Sequence, residues 1–279
     1  MTQDALSRFA TPAADAAHAT LFATDAGTGV NVMFIHGWTC DAHDWMWQLP
    51  HFERRYRVIA VDLRGHGRST VTPPGTYRQA HYVADIESML AAQSAGGKFV
   101  LIGHSMGAQI AARLAATRPD LVGAVVSIDG SLGVSGAAAD FLATLTHDLE
   151  TGDPAEKVPA LFQLLYDANT DPALQRWHAR RAQGTPAHVA RESFGPLYFG
   201  DDQIGMGEAS EAFCRSLAVP VYHLGRDPEQ ATRMRAWFAH PQSRVERWSD
   251  TGHWIMQDRK DDVNAAVTAW IDDVASGWA

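Results

Sequence analysis

Phe99-Val100-Leu101-Ile102-Gly103-His104-Ser105-Met106-Gly107 is the stretch on which the reading of this chain turns. Its first four residues are an uninterrupted apolar run, the pattern of a strand buried on both faces. The residues beyond Gly107 carry Ile110, Leu114 and alanines at helical spacing. A serine between two glycines at a strand-to-helix turn has the context of a nucleophile elbow. Such a turn forces the serine into strained backbone geometry, and small neighbours let the helix close on the strand while the hydroxyl points outward.

Working outward, similar apolar runs bounded by turn residues occur at Val30 to Ile35, Val58 to Val61 and Val122 to Ile128. Tyr82, Ile86, Met89 and Leu90 form a helical stripe before the Phe99 run. Strand and helix alternate, which predicts a largely parallel sheet. The alternation stops near Gly130 and resumes at Val219 to Leu224, followed by a helix, a last strand at Arg244 to Trp248, and a helix bearing Val263, Val267, Trp270, Ile271 and Val274. Between lie segments of helical composition (Phe141 to Leu149, Val158 to Tyr166, Ala173 to Ala182) separated by TGDP, NTDP and GTP breaks. Residues 131–218 are therefore expected to form a mostly helical cap on a core made of residues 1–130 and 219–279. Gly27-Thr28-Gly29 precedes a strand and lacks the third glycine of a dinucleotide fingerprint, so it is read as a hairpin turn.

The 279 residues, 46% hydrophobic and 20% charged, are enough for a full core, and a net charge of -9 argues against nucleic acid as a partner. Two cysteines, Cys40 and Cys214, give no disulfide framework, although one bridge is formally open, and a reducing cytoplasm fits best. The N-terminal twenty residues lack a basic start and apolar core, and no stretch nears the roughly 18 apolar residues of a membrane span; neither export nor a membrane anchor is expected. Thirteen histidines invite a metal reading, but no pairing with another ligand at helical or zinc-ligand spacing is convincing, so no metal is expected.

Two further motifs join Ser105. His36-Gly37-Trp38 ends the Val30 to Ile35 run, where a glycine turn can aim the next N–H into the site; the main-chain N–H groups of Trp38 and Met106 are the expected oxyanion donors. His36 is read as holding the loop. Gly252-His253-Trp254 follows the last strand, and a loop there can carry a base. The serine, acid, histidine order along the chain leaves two acids: Asp129, straight off the Val122 to Ile128 run, and Asp227, after the Val219 to Leu224 run. Asp129 is the assignment and Asp227 the alternative, each with a bland reading as a turn or helix cap.

With these motifs the chain resembles the α/β-hydrolase superfamily over nearly all its length except the first twenty or so residues and the cap. The resemblance implies a mostly parallel, doubly wound sheet with the cap inserted after the sixth strand. In Asp62-Leu63-Arg64-Gly65-His66-Gly67-Arg68-Ser69 it implies a turn shaped by His66 and the glycines. It also implies a Ser105, His253, Asp129 triad cleaving an ester, lactone or related acyl bond of a small, largely apolar or aromatic substrate, with no cofactor. Trp38, His104, Trp45, Trp177 and Phe194 are expected to contact substrate, with Phe162, Tyr166, Tyr198 and Phe199 as further aromatic lining. Gly37-Trp38, Trp45, the Arg64-Gly65-His66-Gly67 loop, Asp129 and the His253 loop are also similar to cofactor-free dioxygenases that open hydroxyquinolone rings. There a His253–Asp129 dyad would deprotonate a hydroxylated N-heteroaromatic substrate. A non-catalytic small-ligand receptor is the third reading, and a homo-oligomer is left open.

Overall fold

The computed structural model describes residues 6–10, 19–94 and 97–278, with residues 6–10 entering only as a strand. The rest of the N-terminal stretch assigned above to the core lies outside the described residues. Eight strands make one sheet: β1 (Leu6–Ala10), β2 (Thr20–Ala26), β3 (Asn31–Ile35), β4 (Arg57–Asp62), β5 (Phe99–His104), β6 (Val122–Ile128), β7 (Val221–Gly225) and β8 (Arg244–Arg247). Their order is β1-β2-β4-β3-β5-β6-β7-β8. The β1–β2 and β2–β4 pairs are antiparallel and the others parallel.

The apolar runs become β3 to β7, whose residues are nearly all buried, because helices cover both faces of the sheet. β8 is short, polar and half-exposed, as suits an edge. The hairpin expected at Gly27 to Gly29 is not one. β2 pairs with β4, so this turn carries the chain past β4 to β3, and a Cβ on Gly27 would lie 2.2 Å from the Tyr56 carbonyl oxygen.

The helices are α1 (Leu49–Phe52), α2 (Gln79–Gln93), α3 (Met106–Thr117), α4 (Ala137–Thr151), α5 (Pro154–Gln163), α6 (Pro172–Gly184), α7 (Ala187–Phe194), α8 (Gly207–Ser216), α9 (Pro228–Met234), α10 (Ile255–Asp258) and α11 (Lys260–Ala275). α2 buries Tyr82, Ile86, Met89 and Leu90, and α11 buries Val263, Val267, Trp270, Ile271 and Val274. α4 to α8 all come from the segment between β6 and β7. Three Asp-Pro pairs start helices in one way: Asp153, Asp171 and Asp227 each accept a hydrogen bond from an N–H of the first turn, with proline just inside.

Five histidines are buried among the described residues, His36, His66, His104, His178 and His223, and in four of them the pKa shift is large. Loss of hydration pushes His66 and His104 down to about 3 and His178 and His223 down to about 4. Their folded values lie below the ordinary 6.5, so the folded state takes up fewer protons than the unfolded chain between those limits. Their contribution is complete above about pH 6.5 and is lost as pH falls, by up to about 1.4 kcal/mol per pH unit for each histidine. The urea midpoint is therefore expected to be level above pH 7 and to drop steeply from pH 6 to 4; a level midpoint across that range would contradict neutral burial.

Candidate active site

Ser105 sits between β5 and α3 at φ 51° and ψ -114°, a left-handed conformation that costs energy for a non-glycine residue. Close packing imposes it. A Cβ on Gly103 would lie 2.4 Å from the Ala108 nitrogen, and one on Gly107 2.2 Å from the Ile35 carbonyl oxygen. The Ser105 N–H donates to the Ile128 carbonyl at 3.1 Å, which ties the turn to the end of β6. Met106 is the first residue of α3, so no preceding turn of helix supplies an acceptor for its N–H. The Ser105 hydroxyl lies 3.3 Å from that of Ser131, which accepts a hydrogen bond from the Tyr198 hydroxyl at 2.9 Å.

The loop after β3 reaches this turn: a Cβ on Gly37 would lie 3.3 Å from Ser105 Cβ and 2.8 Å from His104 Nδ1. Polar groups of the 62–69 segment pin it. The Leu63 N–H donates to His36 Nε2 at 2.9 Å, the Thr39 N–H to His66 Nε2 at 3.2 Å, and the Ala42 N–H to Asp62 Oδ1 at 2.8 Å. His36 and His66 thus hold backbone.

Asp129 follows β6 at φ 40°, a region aspartate tolerates better than most residues, and its N–H donates to the Leu224 carbonyl at 2.7 Å. Its Oδ2 accepts from His253 Nδ1 at 2.5 Å and from Arg226 Nε at 2.7 Å. Burial alone would raise its pKa, but the His253 hydrogen bond and the Arg226 charge hold it well below the usual carboxylate range. The His253 loop is fixed from three sides. Its N–H donates to the Leu165 carbonyl at 2.8 Å, its carbonyl accepts from His104 Nε2 at 3.0 Å, and the Gly252 N–H donates to Asp258 Oδ2 at 2.6 Å. The rings of His104 and His253 lie 4.5 Å apart.

Ser105, His253, Asp129, Trp38, His104 and Phe194 all line one cavity of about 500 Å³, together with Phe162, Tyr198 and Trp254. Phe194 packs on Trp38 with ring centres 4.6 Å apart. Asp227, the alternative acid, is exposed at the rim, where its carboxylate caps α9 through the Glu229 and Gln230 N–H groups. Two expected substrate contacts are elsewhere. Trp45 is fully buried in the core against Phe34, because the turn it sits in packs down onto β3. Trp177 is 41% exposed on the outer face of α6, where it meets His43. Tyr166 and Phe199 likewise do not line the cavity: Tyr166 packs on His178 and Trp254, and Phe199 on Tyr198.

Sequence reasoning missed Ser131, Arg226 and the buried cluster of Asp44. Asp44 Oδ1 accepts from Arg181 of α6 and from Gln257, and Oδ2 from the Trp254 indole at 3.2 Å. Burial raises the Asp44 pKa, and Arg181 beside it more than reverses that. Nothing local marks Arg181 or Arg226, since their partners are distant in sequence; Ser131 alone had a signal, its place directly after Asp129-Gly130. Cys40 and Cys214 are buried free thiols, and burial pushes both up.

The sequence pattern of the alpha/beta hydrolase fold family matches residues 30–213. The chain belongs to that family. It is 35% identical over 128 residues to a 2-(acetamidomethylene)succinate hydrolase of Mesorhizobium japonicum, covering 46% of this chain and 45% of that protein. It is 42% identical over 98 residues to a non-heme haloperoxidase of Rhodococcus erythropolis, covering 34% and 35%. The chain thus spans about half or less of the length of these relatives. In structure it is similar to a thermophilic esterase from Thermogutta terrifontis (TM-score 0.79, 23% identity, 96% of this chain and 98% of that one). A bromoperoxidase from Bacillus anthracis is as similar (TM-score 0.80, 19% identity, 96% and 100%). At these identities the structural likeness concerns the fold.

Because Phe194 lines the cavity and Trp177 does not, Phe194→Ala is expected to weaken binding of a small aromatic ligand about tenfold or more, within the usual range for one apolar contact group, and Trp177→Ala to leave it unchanged. Calorimetric titration of both variants checks this, and equal effects would contradict the placement.

Proposed function

We propose that the protein is a serine hydrolase of the cytoplasm that cleaves an ester, lactone or related acyl bond of a small, largely apolar or aromatic substrate. The single observation that carries this is the 2.5 Å hydrogen bond between His253 Nδ1 and Asp129, beside a serine held at positive φ on the same cavity. The paired carboxylate selects the tautomer in which Nε2 is free to act as base. The Ser105 hydroxyl turns from Ser131 to His253, gives Nε2 its proton and attacks the acyl carbon. The N–H groups of Trp38 and Met106 hold the developing oxyanion. The imidazolium then protonates the leaving oxygen, and water, activated in turn by His253, releases the acid from Ser105. The aromatic walls supply apolar binding area, and the two free thiols support a reducing compartment.

A second reading has its own observation. The Ser105 hydroxyl is hydrogen-bonded with Ser131, while His253 and Asp129 already form a dyad in an aromatic cavity. Such a dyad would remove a proton from a hydroxylated N-heteroaromatic substrate, whose anion reacts with dioxygen without a cofactor.

In the hydrolase, Ser105→Ala is expected to lower turnover of an aryl ester by several orders of magnitude with the fold intact, equally with and without oxygen. Oxygen-dependent turnover of a hydroxyquinolone that survives this substitution would establish the dioxygenase instead. Asp129→Asn is expected to cost roughly 10⁴-fold, while Asp227→Asn stays active and Asp227→Ala loses about 1 kcal/mol of stability as a helix cap; the reverse order of activities would transfer the acid to Asp227.

A further inference from the structure

Asp129 answers two donors through one oxygen. Its Oδ2 takes hydrogen bonds from His253 Nδ1 at 2.5 Å and from Arg226 Nε at 2.7 Å, and the Arg226 backbone N–H reaches Oδ1 at 3.2 Å. A carboxylate answered by the imidazole alone favours the imidazolium, because its charge is uncompensated until the proton arrives. Here a permanent positive charge already sits on it. Arg226 comes from the loop after β7, directly behind Gly225, and its side chain is 31% exposed beside the 10% exposed carboxylate.

We propose that Arg226 is a positioning residue that fixes the plane of the Asp129 carboxylate and, by its charge, keeps His253 unprotonated at lower pH than Asp129 alone would allow.

The other groups around the base do not supply this effect. His104 on the elbow, His178 on α6 and His223 on β7 are neutral above about pH 4, since burial holds them down. Asp44, which reaches the neighbouring Trp254, is answered by Arg181. Asp258 on α10 accepts from the Gly252 N–H and the hydroxyls of Thr251 and Thr170, all through Oδ2, and an anion there would favour the imidazolium, the opposite of this effect. At the rim, Asp227 caps α9, and exposed Glu229 stands 3.9 Å from Arg233. The charges set directly on the His253 system are Asp129 and Arg226.

The test is an NMR titration of the His253 ring in a Ser105→Ala background, with Arg226 kept or changed to Met or Lys. Arg226→Met is expected to raise the His253 midpoint by about one pH unit, the scale of a nearby charge in a partly solvated site, and Arg226→Lys, which keeps the charge, by less than half as much. If the Met variant does not fold, Arg226→Gln, which keeps a donor without the charge, must show the same rise. A midpoint within about 0.2 units of the parent, or equal shifts for Met and Lys, would overturn the assignment. In the serine-containing protein the acid limb of kcat/KM for an aryl ester should move with the NMR midpoint, an arm that rests on the proposed hydrolase reading. If His253 titrates as expected while no ester is cleaved, that reading fails and the role of Arg226 stands.

Discussion

A carboxylate withdrawn from water without a cation beside it costs several kcal/mol, so Asp129 is tenable only where the chain brings it partners. Those partners arrive from two distant loops, His253 after β8 and Arg226 after β7. Their convergence depends on the parallel order β6-β7-β8, which puts the carboxyl ends of those strands side by side. The Leu224 carbonyl at the end of β7 takes the Asp129 N–H, so the strand that delivers the acid is locked to the one that delivers Arg226. A Cβ at Gly130 would lie 2.2 Å from Ser127 Oγ, which leaves room only for glycine as the chain turns away beneath Ser131.

A second buried ion pair, Asp44 with Arg181, joins α6 to the turn after β3 in the same way. Arg181 reaches down from α6 to Asp44 and to Asp41 on the loop bearing Trp38, while Trp254 and Gln257 bring the His253 segment to the same carboxylate. One buried anion therefore ties together α6, the loop that would hold an oxyanion, and the stretch carrying the imidazole. Removing either partner would leave a buried charge uncompensated. α5 and α6 are joined to the loops after β3 and β8 by this cluster as well as by aromatic packing around Trp254.

The sheet and its flanking helices were legible because burial on both faces demands unbroken apolar runs such as Val122–Ile128, and helices against a sheet show a stripe such as Val263, Val267, Trp270 and Val274. β2 escaped notice because one of its faces is open and its sequence, TLFATDA, alternates only briefly. In the candidate site three of the residues that line the cavity had a local signal: Ser105 lies between Gly103 and Gly107 straight after β5, Asp129 follows β6 and precedes Gly130, and His253 follows Gly252 in the loop after β8. Trp45 and Trp177 were misplaced for a related reason: closeness in sequence to a site loop, or a place on a helix between β6 and β7, does not say which way a side chain points. Arg226 and Arg181 act on carboxylates 97 and 137 residues away, a distance no local pattern spans.

In the proposed hydrolase His253 makes Ser105 nucleophilic. Intact-mass analysis after brief exposure to a fluorophosphonate, followed by peptide mapping, tests this most directly. A single adduct is expected on the peptide containing Ser105, and none when His253 is changed to Asn in a folded variant. An unlabelled wild-type protein, or labelling that persists without His253, would contradict it.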